Sequence, residues 1–210
     1  MNHHHTLCAD ANSPLDVLRG NVESYLQLGA APEKMILGVP FYGYMKRCND
    51  SIPQPSTFSQ CAGATCLVGD AEHYDEAGPY GLGVWAIERL LANKTASAGC
   101  VQGWSEKHSS PYLDCPASSP GPYFLFHRQP PPGKPMRTQT WYDDSRSTRL
   151  KVEMAKALKL GGVGAFTGEN VGPPGNNGFA ESFWSALAAI KSGDASVSKI
   201  GSSIRSLAED

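Results

Sequence analysis

The chain of 210 residues lacks several features that would assign it to a familiar class of protein. Its formal net charge is only −2 and it has no basic run, which argues against nucleic-acid binding and electrostatic membrane attachment. No apolar run approaches the roughly 18 residues that a membrane-spanning helix needs. Residues 1–14 have neither the charged region nor the apolar core of a signal peptide. We therefore expect neither nucleic acid nor membrane as a partner.

The sequence also gives no sign of a metal site or of an organic cofactor. The adjacent residues His3, His4 and His5 cannot converge on one ion as ligands spaced along one helix face could. A solvated chain end is the better interpretation, and we expect no metal and no cofactor.

Cysteine, in contrast, is plentiful. Five of the six cysteines lie in one loop-rich part of the chain: Cys48, Cys61, Cys66, Cys100 and Cys115. This clustering predicts disulfide bonds and an oxidising compartment. Closeness along the chain favours pairing Cys48 with Cys61 or Cys66, and Cys100 with Cys115, although the number of cysteines allows many other pairings.

Two N-glycosylation sequons agree with a secretory route. They begin at Asn49 and at Asn93, which we expect to be glycosylated. Secretory character without a signal peptide is a contradiction, and its simplest resolution is that the natural N-terminus precedes Met1. The expected location is lysosomal or extracellular, with the signal peptide absent from this chain.

Two parts of the chain have the same order of helix, short loop and buried strand. In the first, Ser13 is the expected N-cap and Pro14 the first helical residue of a helix that Gly29 ends. The apolar residues 35–42 then predict one strand buried on both faces. The repetition of such a unit predicts an α/β fold with parallel strands.

The second unit lies about 120 residues further along the chain. Asp144 is the expected N-cap of its helix, and the adjacent Asp143 is interpreted as a capping group too rather than as a ligand. Gly161 and Gly162 end this helix, and residues 163–166 predict a fully buried strand. A last amphipathic helix is expected over residues 179–191.

Between these units the composition changes to loops rich in cysteine and proline, with one convincing helix over about residues 82–94. This segment predicts an inserted α+β subdomain held by disulfides. We expect a first helix and strand over residues 1–44 and the insertion over residues 45–139. The second unit with the closing helix follows over residues 140–193, and residues 194–210 form a disordered tail.

Three motifs resemble those of the family 18 glycoside hydrolases, the chitinase family. Residues 37–44, LGVPFYGY, resemble the seventh-strand signature, and residues 141–144, WYDD, with Ser147 resemble the start of the last helix. Residues 161–166, GGVGAF, are similar to the eighth strand. The resemblance implies a partial (β/α)8 TIM barrel, containing its last two β/α units with the insertion between them. It is strongest with a lysosomal branch that trims N-acetylglucosamine from the reducing end of chitin-type oligosaccharides.

The resemblance also implies a reaction. In this family the N-acetyl oxygen of the substrate attacks the anomeric carbon, while a Glu at the end of the fourth strand protonates the leaving oxygen. That Glu closes a D-x-x-D-x-D-x-E run, which is absent from these residues. We therefore expect no catalytic residue in this chain, and we expect a missing N-terminal barrel half to be its partner.

The resemblance assigns sugar contact to four residues: Tyr42, Tyr44, Phe166 and Glu169. Phe166 stands where the family usually has a Trp under the sugar at the cleavage point, and Glu169 where it usually has Asp or Asn. The tyrosines could instead pack in the core or at the barrel rim, and Phe166 could simply fill the core. Glu169 is a poor stand-in acid because one carboxylate without a partner gives neither retaining nor inverting geometry.

Three hypotheses of function remain. The chain is the C-terminal part of a glycosidase that hydrolyses β-1,4-linked N-acetylglucosamine oligosaccharides, from chitin or an N-glycan core, by substrate-assisted retaining catalysis. Alternatively it is a non-catalytic remnant that binds chitooligosaccharides, or an inactive truncated product.

Overall fold

The computed structural model of the protein describes residues 8–49, 66–68, 82–95, 97–119, 137–171 and 179–191. Two predictions lie outside these residues: Cys61 as a disulfide partner, and a disordered tail over residues 194–210. None of the helices in the described ranges is both long enough and apolar enough to cross a membrane.

The first helix, α1, spans Leu15–Gln27 and is followed by a 3-10 turn at Pro32–Lys34. Its N-cap is Pro14, and no side chain caps it. The prediction of Ser13 as N-cap was therefore wrong. The Ser13 hydroxyl donates instead to Asp143, at 3.0 Å, so a distant partner has taken the expected capping group.

The apolar run predicted as one strand is divided into two. Strand β1 spans Ile36–Pro40, and strand β2 spans Tyr42–Arg47 and enters a different sheet. Phe41 lies between them, with its amide donating to the Phe166 carbonyl at 2.9 Å. Because Phe41 is fully buried, apolar character continues through the break, and the pattern gives no sign of a turn.

The second unit places strand β7, Gly162–Phe166, beside β1 in parallel register, with Pro40 opposite Phe166. Helices α3, Ser145–Ala157, and α4, Phe179–Ala188, contribute to the core beside this pair. The prediction of strands buried on both faces was wrong for both units. In β1 the Ile36 side chain is 66% exposed, and β7 is half-buried with its last side chain, Phe166, 54% exposed. Among the described residues this sheet has only these two strands, so each strand has an edge that no described strand covers.

Helix α3 begins as the sequence predicts. Asp144 accepts from the Ser147 amide at 2.7 Å, and the Ser147 hydroxyl accepts in return from the Asp144 amide, which forms a capping box. The end of the helix differs from the prediction, because it stops at Ala157 and Lys159 adopts the left-handed conformation at φ +57°. Gly161 instead allows a close approach, since a Cβ there would lie 2.1 Å from a backbone oxygen.

Strand β2 belongs to an antiparallel sheet with four further strands: β3 at Leu82–Gly83, β4 at Val101–Ser105, β5 at Ser110–Cys115 and β6 at Thr138–Trp141. The order of strands across this sheet is β3-β2-β6-β5-β4. Helix α2, Val84–Ala92, packs its buried Ile87 and Leu90 against Met45 and Leu113 of the sheet. On the other side, Trp141 packs near Cys48 and Cys66.

Two disulfide bonds join described residues, Cys48 to Cys66 and Cys100 to Cys115. Both agree with the pairings favoured by closeness along the chain. Cys8 is disulfide-bonded as well, although the sequence prediction left it out. The prediction grouped cysteines by position in the chain, which gave no reason to connect Cys8 with the distant cluster.

Candidate functional site

Three aromatic side chains meet where the parallel pair ends. The chain leaves β1 at Pro40 and turns into β2, which carries Tyr42 and Tyr44, while β7 ends at Phe166. The ring centroids of Tyr42 and Phe166 are 6.4 Å apart, and those of Tyr42 and Tyr44 are 5.5 Å apart, both in edge-to-face geometry. We call Tyr42, Tyr44 and Phe166 the aromatic cluster.

The members of the aromatic cluster differ in exposure. Phe166 is 54% exposed, so it does not simply fill the core, whereas Tyr42 and Tyr44 are half-buried. The arrangement offers an apolar ring face beside two phenol groups, a mixture that suits ligands with apolar faces and polar edges.

Glu169, the fourth residue predicted to touch sugar, lies in the 3-10 turn Gly168–Val171 that follows β7. It is exposed. The turn is held by a hydrogen bond from the Asn170 side-chain amide to the Thr167 hydroxyl, at 2.9 Å. This places Glu169 close to Phe166 along the chain, at the same end of the parallel pair.

A buried ion pair joins Asp143, just before α3, to Lys151 within that helix. The Lys151 ammonium pairs with the Asp143 carboxylate, and their side chains are 0% and 1% exposed. The Asp143 oxygen that pairs with Lys151, Oδ1, also accepts from the Ser147 hydroxyl at 2.7 Å. The second oxygen, Oδ2, accepts from the Ser13 hydroxyl at 3.0 Å. Lys151 donates to the Ser13 hydroxyl too. Each charge thus has an oppositely charged partner and a hydroxyl partner, as buried charges require.

Sequence reasoning missed Lys151. It treated Asp143 and Asp144 alike as groups that cap a helix, yet only Asp144 caps α3. A signal was present, because Lys151 shares a helix face with the buried residues Thr148 and Ala155 at the spacing of adjacent turns.

The residues before α1 connect this ion pair to the aromatic cluster. Next to Ser13, the Asn12 side-chain amide donates to the Tyr42 carbonyl at 3.1 Å. Burial raises the pKa of the Tyr42 phenol, and the adjacent Tyr44 and the charge of Asp143 raise it further. Tyr42 is therefore a neutral phenol at physiological pH and can donate a hydrogen bond.

His108 contacts the residues on both sides of Asn12 and Ser13, and sequence reasoning missed this residue too. Its two ring nitrogens lie 3.1 Å from an Asp10 oxygen and 3.2 Å from an Asp16 oxygen. Its carbonyl accepts from the Leu15 amide at 3.1 Å. Contacts on both sides of Asn12 and Ser13 therefore hold the segment against the antiparallel sheet.

Within the described residues, no group of three or more His, Cys, Asp or Glu side chains is arranged to hold a metal ion. The aromatic cluster and Glu169 offer aromatic contact and hydrogen bonding from phenol and carboxylate groups.

Comparison with known proteins gives a match to a family model described as glycosyl hydrolases family 18, over residues 1–170. Di-N-acetylchitobiase of Rattus norvegicus is 28% identical over 159 residues, which cover 74% of this chain and 36% of that protein. Probable di-N-acetylchitobiase 2 of Dictyostelium discoideum is 27% identical over 164 residues, with the same two coverages of 74% and 36%. The chain thus spans about a third of the length of these curated relatives.

Solved structures show the likeness of fold. A Group IV chitinase of Ostrinia furnacalis, in complex with allosamidin, superposes with a TM-score of 0.56 at 18% identity, covering 89% of this chain and 47% of the chitinase. YKL-39, determined in the presence of chitooligosaccharides (GlcNAc4), gives a TM-score of 0.57 at 19% identity, covering 90% of this chain and 47% of that one.

Proposed function

This chain belongs to glycosyl hydrolases family 18, and we propose that it forms the sugar-binding C-terminal part of a chitobiase-like glycosidase. Its ligand is a β-1,4-linked N-acetylglucosamine oligosaccharide, from chitin or from an N-glycan core. The names of the curated relatives and the oligosaccharide in the YKL-39 structure support this class of ligand.

The observation that carries the proposal is the meeting of Tyr42, Tyr44 and Phe166 at the carboxyl ends of β1 and β7. Sites in parallel α/β folds are built at that end of the strands. In the proposed arrangement β1 and β7 are strands seven and eight of a (β/α)8 barrel, and residues 45–139 form an insertion between them.

Within this site, each residue has a proposed role. The exposed ring of Phe166 lies under the C–H face of an N-acetylglucosamine unit, and the phenol groups of Tyr42 and Tyr44 donate to its oxygens. Glu169, exposed beside them, accepts from sugar hydroxyls at the rim. None of these residues transfers a proton to the leaving group.

The reaction then needs residues from elsewhere. The substrate's N-acetyl oxygen attacks the anomeric carbon with retention, and a carboxylic acid protonates the leaving oxygen. The D-x-x-D-x-D-x-E run that supplies this acid in the family is absent from these residues. We assign the acid to an N-terminal barrel half, so this chain alone binds the sugar without cleaving it.

The binding role is tested by titrating the N-acetylglucosamine tetramer into the full chain and measuring heat. Phe166→Ala should weaken the affinity about tenfold, since a central aromatic anchor is lost. Tyr25→Ala is the matched control, because this aromatic residue is 60% exposed near the end of α1 and is not part of the aromatic cluster, so its removal should change nothing. Equal isotherms for wild type and Phe166→Ala would refute sugar binding at this site.

The division of labour is tested with a chitotriose substrate. Pure chain should release no N-acetylglucosamine. Turnover that Glu169→Gln abolishes would show that the chain carries its own acid and would contradict the proposal. A chain that neither binds nor cleaves would favour the alternative of an inactive product, and binding without cleavage even beside an N-terminal half would favour a non-catalytic binding protein.

We place the protein in a lysosome or outside the cell, with N-linked glycans on Asn49 and Asn93. Six cysteines and two described disulfide bonds support an oxidising compartment. The proposal is tested on protein secreted from eukaryotic cells, where enzymatic removal of N-glycans should lower the mass and Asn49→Gln with Asn93→Gln should abolish that change.

A further inference from the structure

The Asp143–Lys151 pair is a costly feature for a chain to keep for stability alone. Removing two charges from water costs several kcal/mol per ion, and an apolar pair of similar volume is often as stable. Here both side chains are excluded from solvent, and two hydroxyls complete their hydrogen bonding. An ion pair can also hold a polar segment in one place through hydrogen bonds, which an apolar pair could not do.

That polar segment is Asn12–Ser13. Ser13 donates to Asp143 at 3.0 Å and accepts from Lys151, so both charges converge on its hydroxyl. Its neighbour Asn12 donates to the Tyr42 carbonyl at 3.1 Å. Tyr42 is the first residue of β2 and follows directly after the break at Phe41, where the chain passes from one sheet to the other.

The contact at Tyr42 matters because this is the central ring of the aromatic cluster. Its ring contacts Tyr44 on one side and Phe166 on the other. A rotation of the Tyr42 backbone would therefore change the spacing of the whole cluster. Within the part of the chain that the structure describes, Gly83 of β3 is the one residue that pairs with Tyr42 in the sheet register, so the Asn12 contact adds a constraint from outside the sheet.

We infer that the buried Asp143–Lys151 pair acts as a positioning device, which fixes Tyr42 in the aromatic cluster through Ser13 and Asn12. The four residues Asn12, Ser13, Asp143 and Lys151 do not touch the sugar; they set the direction of a ring that does. The part of this inference that concerns sugar affinity rests on the proposed function, whereas the placement of Tyr42 does not.

The experiment uses the full chain labelled with 3-fluorotyrosine, with the Tyr42 resonance assigned by its disappearance in Tyr42→Phe. Asn12→Ala and Ser13→Ala should each shift or broaden that resonance and weaken tetramer binding about fivefold, the effect of one lost hydrogen bond. Ser13→Thr keeps a hydroxyl and should restore both readouts. These substitutions are small, so the chain should remain folded.

The matched control is Ser97→Ala, since the Ser97 hydroxyl also makes a hydrogen bond, to the Asn93 carbonyl at 2.9 Å, far from Tyr42 along the chain. It should leave the Tyr42 resonance and the affinity unchanged. An unchanged Tyr42 resonance in both Asn12→Ala and Ser13→Ala would overturn the inference. A shifted resonance with wild-type affinity would overturn the part of the inference that concerns sugar affinity. If the wild type itself binds no tetramer, the proposed function fails, and the resonance alone decides whether Tyr42 is positioned as inferred.

Discussion

Replacing Lys151 by methionine should destabilise the protein by several kcal/mol. Methionine keeps most of the apolar stem and removes the ammonium group, so the change isolates the charge. It leaves the Asp143 carboxylate, whose side chain is 1% exposed, without a cation. Breaking a buried pair in this way costs about 3–5 kcal/mol. Because the Ser13 and Ser147 hydroxyls still donate to Asp143, we expect about 3 kcal/mol, the lower end of that range.

The assay is urea unfolding at pH 7, followed by tryptophan fluorescence, on four proteins that form a double-mutant cycle. Asp143→Asn removes the opposite charge and keeps one oxygen, which can accept from one of the two hydroxyls. The double variant should therefore be more stable than the sum of the single losses predicts, by about 2 kcal/mol. A loss below about 1 kcal/mol for Lys151→Met would refute the reasoning. So would a cycle whose single losses simply add, because residues in contact normally couple by about 0.5–3 kcal/mol.

Three other predictions concern stability. Gly161→Ala should lower the free energy of unfolding by about 1–3 kcal/mol through overpacking, since its Cβ would lie 2.1 Å from a backbone oxygen. Gly38→Ala is the control in the same unfolding assay, because there is open space around Gly38 and the substitution should be tolerated. Replacing Cys100 and Cys115 together by serine opens a loop with a sequence separation of 15 and should cost about 3 kcal/mol in that assay. Burial raises the pKa of the Tyr142 phenol, so the folded chain keeps a proton that the unfolded chain loses, and the free energy of unfolding should fall as the pH rises above about 10. Tyr142→Phe should reduce that fall; an equally steep fall in the variant would contradict the assignment.

Local signals in the sequence predicted the local features. The capping box of α3 was predictable at Asp144 because both of its hydrogen bonds join residues within one turn. The parallel pairing of β1 with β7 followed from the repeated helix–strand unit. The same local reasoning failed at Ser13, because its hydroxyl donates a hydrogen bond to Asp143, which lies 130 positions away in the chain.

The residues that sequence reasoning missed share that property. His108 reaches Asp16 across 92 positions, and Lys151 reaches Ser13 across 138. A charged residue on a helix normally indicates a side chain that is exposed to solvent. The burial of Lys151 is explained only by its contacts with distant residues. The aromatic cluster was named in advance only through the family resemblance, since nothing in the local pattern brings Phe166 to Tyr42.

The position of the aromatic cluster shows what the antiparallel sheet contributes to the proposed sugar site. Phe166 belongs to the parallel pair, whereas Tyr42 and Tyr44 belong to the antiparallel sheet, so a sugar that contacts all three contacts both sheets. Phe41 joins the sheets through backbone hydrogen bonds to Phe166 at 2.9 Å and from Val84 at 3.2 Å. Since its ring is fully buried against Phe183, that junction cannot tilt without opening the core. The antiparallel sheet is therefore one wall of the proposed site, and its packing should influence sugar affinity even where no residue touches the ligand.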